Sequence, residues 1–226
     1  MKKIIYFFLS FSSLLFSQTE NNRIINIGEF YSLKVYSGIH IKLVPSIKNK
    51  LVIFDDKGSD VIVVTKNGVI KIRHSIDNFL DTSPTYAELN YIGEINKIFT
   101  YQGSKVEMND LLETKQLNIT AKEGSEVDIK IKVNFLSSQI ATGAKLKIRG
   151  KAKDHVLKIS KGGVCEAENL FTENTDVKLS IGGRAHIRVS NKISANSRIG
   201  GAIRVFGNPK IKNFKTSLGG SIIEMK

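Results

Sequence analysis

The chain has 226 residues, with 34 Lys or Arg against 21 Asp or Glu for a net charge of +13, one cysteine and no tryptophan. A single cysteine excludes an intrachain disulfide, so stability has to come from packing and backbone hydrogen bonds. Residues 139–226 hold three aromatic side chains, Phe171, Phe206 and Phe214, too few for a single-strand nucleic-acid binder that sets stacking rings between its cations.

The first stretch, MKKIIYFFLSFSSLLFSQTE, has a charged start at Lys2 and Lys3, a short apolar run from Ile4 to Phe16 and a small residue at Ser17. This is the pattern of a secretory signal peptide, 1–17, cleaved after Ser17. The run is too short to cross ~30 Å of hydrocarbon. No later stretch is apolar enough to span a membrane, and no cysteine stands near the cleavage point to carry a lipid. The expected location is outside the cytoplasm: periplasm, outer-membrane surface or secreted.

Residues 30–73 alternate apolar and polar positions in LKVYSGIHIKLV, NKLVIFDD and SDVIVVTKNGVIKIR. That period-two pattern predicts strands with one buried face, and KNG at 66–68 predicts a hairpin turn. SIDNFLDTSPT, 75–85, reads as a surface loop, after which YAELNYIGEINKIFT resumes the strands. Nothing resembles an interdomain linker. The expectation is one domain over 18–226, with N-terminal strands at 27–75 starting or capping glycine-marked repeats at about 86–226.

Those repeats are set by Gly103, Gly124, Gly143, Gly162, Gly182, Gly200 and Gly219, at intervals of 21, 19, 19, 20, 18 and 19 residues. A near-constant period of this length marks a stacked chain. Three residues after each glycine come Val106, Val127, Leu146, Cys165, Ala185, Ile203 and Ile222; five after come Met108, Ile129, Ile148, Ala167, Ile187, Val205 and, at the chain end, Glu224. A second alternating strand precedes most glycines, carrying Leu117, Ile119, Leu157, Ile159, Val177, Leu179, Phe214 and Leu218. One unit therefore reads strand, glycine corner, strand, return. Glycine suits the corner because it accepts positive φ. A unit of this size cannot bury its apolar face alone, and stacking solves that. The predicted fold is all-β: a right-handed parallel β-helix or β-solenoid with ~19-residue coils and narrow interior. Cys165 falls on an apolar strand position and reads as a small buried hydrophobe.

In-register stacking also builds outward columns. Two residues after the glycines stand Lys105, Glu126 and Lys145, and four after stand Asp128, Lys147 and Glu166. These opposite charges read as cross-strand pairs. Arg184, His186, Arg188 and Arg204 read as a cluster without acids. Charge is unevenly spread: residues 18–138 hold 15 basic and 15 acidic side chains, whereas 139–226 hold 17 basic and 6 acidic. Such asymmetry points to an anionic partner, with Arg184, Arg188, Lys192 and Arg204 as candidate contacts.

The pattern F…KVYSGIHIKLV, the turn and strand KNGVIKIR, the strand EINKIFTYQGSKV and the glycine repeats that follow resemble the head-GIN domain family of auto-transporter adhesins, over residues 27–226. The corners depart from the family pattern: many here are Gly-Gly or Gly-Ser followed by a basic residue, where the family commonly repeats Gly-Ser-Gly with Asp. The resemblance implies an exported β-helical domain with an adhesin label and no established activity, and it carries over no functional residues.

The residues themselves offer no catalytic, cofactor-binding or metal-ligating set. His40, His74, His155 and His186 lie in different repeats without metal-ligand spacing, with His40 and His186 on outward strand positions. Asp55-Asp56, in FDDKGSD, lacks the acidic spacing of a calcium loop and reads as a polar turn. The expectation is an exported, non-enzymatic surface or interaction protein, adhesin-like, presenting a basic face to an anionic glycan, lipopolysaccharide or the envelope surface. Two other readings stay open. A carbohydrate-active β-helix enzyme, lyase or hydrolase, would show converging carboxylates in a groove; a purely structural envelope protein would have no ligand.

Overall fold

The structure is a computed structural model that describes residues 22–54, 60–75 and 84–225. The signal-peptide segment, Asp55-Asp56 and most of the expected 75–85 loop lie outside the described residues. Within them there are strands and no helix. The first eight strands are short: β1 (Arg23–Asn26), β2 (Ser32–Val35), β3 (His40–Pro45), β4 (Lys50–Ile53), β5 (Val61–Lys66), β6 (Val69–His74), β7 (Tyr86–Tyr91) and β8 (Lys97–Thr100). Five long ones follow: β9 (Lys105–Lys122), β10 (Glu126–Ala141), β11 (Lys145–Ser160), β12 (Val164–Leu179) and β13 (Arg184–Arg198). The chain ends with β14 (Ala202–Phe206), β15 (Ile211–Ser217) and β16 (Ser221–Glu224).

Each long strand is one coil of a β-solenoid, pairing in parallel with the strand before and the strand after over both of its legs. Alternation explains why. Val106, Val127, Leu146, Cys165, Ala185 and Ile203 form one fully buried column, and Met108, Ile129, Ile148, Ala167, Ile187 and Val205 form the next. On the second leg Ala121, Ile140, Ile159 and Leu179 line up in register and are buried. The two legs thus face each other across one continuous apolar interior, and each coil's buried face is covered only because its neighbours continue the column.

The corner glycines Gly103, Gly124, Gly143, Gly162, Gly182, Gly200 and Gly219 have φ between 56° and 78°. At most corners the residue before the glycine is left-handed as well, as at Gln102, Glu123, Thr142, Lys161, Ile199 and Leu218. Two successive left-handed residues make a tight reversal, closed by a bond such as Ser104 N–H to the Tyr101 carbonyl at 3.1 Å. The glycine N–H then donates one coil onward: Gly103 to Glu123 O, Gly124 to Thr142 O and Gly143 to Lys161 O, at 2.9–3.1 Å. The corners are therefore hydrogen-bonded to one another as continuously as the strands are.

This geometry corrects the reading of Leu218 as an inward strand residue. It occupies the left-handed turn position and is 73% exposed. Phe214 and Ile222, in the final coil, are only partly buried, because no further coil covers them.

The second glycine of each Gly-Gly pair has a separate cause. The residue after the corner points into the stack and narrows along it, from Ile39 through Ser104, Ser125 and Ala144 to Gly163, Gly183, Gly201 and Gly220. A Cβ on Gly163 would meet the Ile140 carbonyl at 2.9 Å, and one on Gly220 the Ser197 carbonyl at 2.3 Å. Only glycine fits where backbones approach this closely.

At the N-terminal end the order in space departs from the order in sequence. The unit β2–Ser37–Gly38–β3 sits between the later β6 and β7 on one side and β8 and β9 on the other, parallel to all of them. Beyond it, β4 pairs antiparallel with β7, β1 with β4 and β5 with β6. The β5–β6 hairpin turns at Asn67–Gly68, with φ of 50° and 70°. The antiparallel strands cover an edge that the parallel coils would otherwise leave open.

Candidate functional site

The four basic residues read from the sequence do not form one cluster. Arg184 and Arg204 stand on the outward face of the first leg, in register with Ala202 and His186 respectively. Arg188 lies at the bend between the legs. Lys192 lies past that bend, opposite Asn174 and Ile211. Nor is the neighbourhood free of acid. The Glu168 carboxylate is 3.9 Å from His186 Nδ1, and the Glu168 carbonyl accepts from Arg188 Nε at 2.7 Å. The outward columns read from the sequence stopped four residues after each glycine, so Glu168, six after Gly162, was not among them; it lies in a local insertion. Between Ala167 and Phe171, β12 carries three residues for which β13 has none opposite.

The expected charge columns are in register, Lys105–Glu126–Lys145 and Asp128–Lys147–Glu166. Their close contacts run along a strand or diagonally instead: Lys105 to Glu107 at 2.9 Å, Lys145 to Glu166 at 2.7 Å, and Arg149 to Asp128. Long side chains reach the diagonal neighbour and keep solvent contact there, and each such exposed pair is worth at most about 1 kcal/mol.

The bend builds a concave surface in the C-terminal half. Its outward column is Glu113, Lys132, Lys151, Phe171, Arg188 and Phe206, each opposite the next through the register of consecutive coils. Behind it, Val133, Ala152, Thr172 and Val189 form a buried floor. The resulting groove has a volume of about 550 Å³ and is lined by Lys132, Lys151, Phe171 and Arg188 of that column together with Lys153 and Glu173. Arg188 is fixed in it: its guanidinium carbon is 5.3 Å from the Phe171 ring centre and 5.7 Å from that of Phe206. Lys132 is bound to Glu113 at 2.7 Å, whereas Lys151 and Lys153 have no ion-pair partner among the described residues. Glu173 is the one carboxylate in the lining. Lys132, Lys151 and Lys153 were not singled out by sequence reasoning, and Phe171 entered it only as one of the few C-terminal aromatics.

Among the described residues no group of three His, Cys, Asp or Glu side chains could hold a metal ion. His40 packs edge-on against Tyr86 at 5.0 Å, and burial, with Lys105 adding to it, lowers its pKa. His155, unlike its outward counterparts, points inward, fully buried between Leu136 and Thr175, with Nε2 3.2 Å from Ser138 Oγ. Loss of water pushes its pKa down to about 3. The Cys165 thiol is fully buried, which raises its pKa strongly, and the nearby Glu168 and Glu166 charges add to the effect.

Solved structures share this fold. A putative adhesin from Bacteroides fragilis NCTC 9343 superposes with a TM-score of 0.82 at 22% identity, covering 92% of this chain and 98% of its own. A putative lipid binding protein from Parabacteroides distasonis ATCC 8503 gives 0.68 at 14% identity, and a putative adhesin from Parabacteroides merdae ATCC 43184 gives 0.66 at 16%; each covers 93% of this chain and 98% of its own. No curated protein matches. The family profile described as "putative auto-transporter adhesin, head GIN domain" matches residues 29–209, and the chain belongs to that family.

Proposed function

We propose that this protein is an exported, non-catalytic binding module, adhesin-like, whose basic C-terminal half engages an anionic partner at or beyond the cell envelope. The observation that carries the reading is the groove at the bend. It gathers Lys132, Lys151, Lys153 and Arg188 around a single carboxylate, Glu173. Acid–base cleavage of a glycosidic bond calls for two converging groups, and a lining with one carboxylate, Glu173, beside Lys151 and Lys153, unpaired among the described residues, suits attraction better than catalysis. The family description supports the adhesin reading, and the leader-like 1–17 segment supports export.

The test is retention of the purified protein on beads carrying an acidic polysaccharide, with neutral dextran beads as control. Binding to the acidic beads alone, released by high salt, is the expected result, because exposed charges are screened within about 10 Å at 0.1 M salt. Equal retention on neutral beads, retention indifferent to salt, or the appearance of cleaved polymer would overturn the reading.

A further inference from the structure

Resting on that reading, we infer that the groove is a subsite for a linear acidic sugar chain lying along the stack axis, with Arg188 as its oxyanion clamp. The guanidinium between Phe171 and Phe206 uses Nε on the Glu168 carbonyl, 2.7 Å away. Its two terminal nitrogens have no hydrogen-bond partner among the described residues. A guanidinium with a phenylalanine ring within 6 Å on each side along the column and tethered at Nε has restricted rotamer freedom. It offers a fork matched to a carboxylate or sulfate.

The rest of the groove selects the shape of the ligand. Lys151 and Arg188 lie on the same outward column, separated by Phe171, and the coil spacing of about 4.8 Å sets the step along that column. A small anion would meet Arg188 alone, whereas an extended chain of acidic pyranoses meets Arg188, Lys151 and Lys153 together. Phe171 is 57% exposed and offers apolar surface to the C–H face of a sugar ring. The floor formed by Val133, Ala152, Thr172 and Val189 is buried, and the cations around it favour an anionic chain, with binding to lipid vesicles as the alternative outcome of the test.

The experiment is calorimetric titration of the purified protein with oligogalacturonate, carrying carboxylates, and with dextran sulfate, carrying sulfates. Neutral oligodextran and anionic phospholipid vesicles serve as comparisons. Arg188→Lys keeps the charge but removes the fork, and is expected to weaken binding of the preferred polymer about tenfold. Lys151→Glu with Lys153→Glu, both on exposed side chains, is expected to weaken it at least as much. Lys158→Glu with Lys178→Glu makes the same charge change on the outer face of the second leg and is expected to shift affinity by less than about twofold. Thermal melts establish that each variant is folded. The subsite is overturned if Arg188→Lys and the Lys151/Lys153 variant bind like wild type, if the second-leg variant loses as much as they do, or if vesicles bind and neither polymer does. An equal loss from both faces leaves attraction to polyanions standing, while absence of polyanion binding by wild type overturns the broader function as well.

Discussion

A Cβ placed on Gly183 would stand 2.3 Å from the carbonyl oxygen of Gly163, one coil away. The two corners are stacked backbone on backbone, and Gly183 also has a φ of 89°. Gly143 has a similar φ, 72°, but nothing within 4 Å of its missing Cβ. The pair separates two costs of the same substitution. Gly143→Ala should lower stability by about 1–2 kcal/mol, the cost of a left-handed residue with a side chain. Gly183→Ala should cost clearly more, because the coils must also move apart. Urea unfolding of the two variants measures the difference; equal midpoints would show that backbone contact does not dictate the Gly-Gly pair.

Ile199 presents the reverse opportunity. It sits at the left-handed position before Gly200 with φ of 47° and is 44% exposed. A β-branched residue is poorly suited to that conformation, and asparagine tolerates it. Its backbone contacts, N–H to Ser217 O and carbonyl from Gly182 N–H, do not involve the side chain. Ile199→Asn should therefore raise stability by about 1 kcal/mol, read as a higher melting temperature. A lower one would mean that the isoleucine packs in a way its exposure conceals.

These corners also show how far the sequence could be read. The first leg was legible because its inward residues keep fixed offsets of three and five from each glycine, and all six non-terminal members of each set are buried. The groove was not. Its outward column falls 10, 8, 8, 9, 6 and 6 residues after the corner glycine, at Glu113, Lys132, Lys151, Phe171, Arg188 and Phe206. Insertions at the bend, such as the two extra residues between Met108 and Leu111 of β9, cause the drift. A bulge adds residues without changing which strands pair, so periodicity survives while register is lost to counting. The sandwich of Arg188 between two phenylalanines is contiguous only in space. The reordered N-terminal units escaped for a related reason: alternation reports that Ser32–Val35 is a strand but not that its neighbours are β6 and β8.

Cys165 gives a direct probe of whether the stack stays closed. Its thiol is fully buried in the column between Leu146 and Ala185, and burial raises its pKa, so thiolate is scarce as well as covered. A thiol reagent such as a disulfide dye should leave the native protein unmodified and label it stoichiometrically in denaturant. Labelling should rise with urea in step with loss of β-sheet signal. Rapid modification under native conditions would show that adjacent coils open locally at this position.

His155 makes the interior sensitive to acid. It is buried in the second leg with only Ser138 Oγ in reach of Nε2, and its pKa lies at about 3 against about 6.5 in an unfolded chain. Between these values the unfolded state holds a proton that the native state does not. Stability therefore falls as pH drops from about 6.5 towards 3, at up to about 1.4 kcal/mol per pH unit from this residue. Above 6.5 the imidazole is neutral in both states and contributes no slope. Replacing His155 by Leu together with Ser138 by Ala removes the titrating group without stranding its partner. Chemical denaturation of wild type and double variant at pH 7 and pH 4.5 isolates the effect, since the carboxylates common to both cancel. Wild type should lose about 2 kcal/mol more than the variant over that interval. Parallel losses would mean that protonated His155 is accommodated in the fold, through water entry or a rotated ring, and that the interior around Ser138 and Thr175 is not dry.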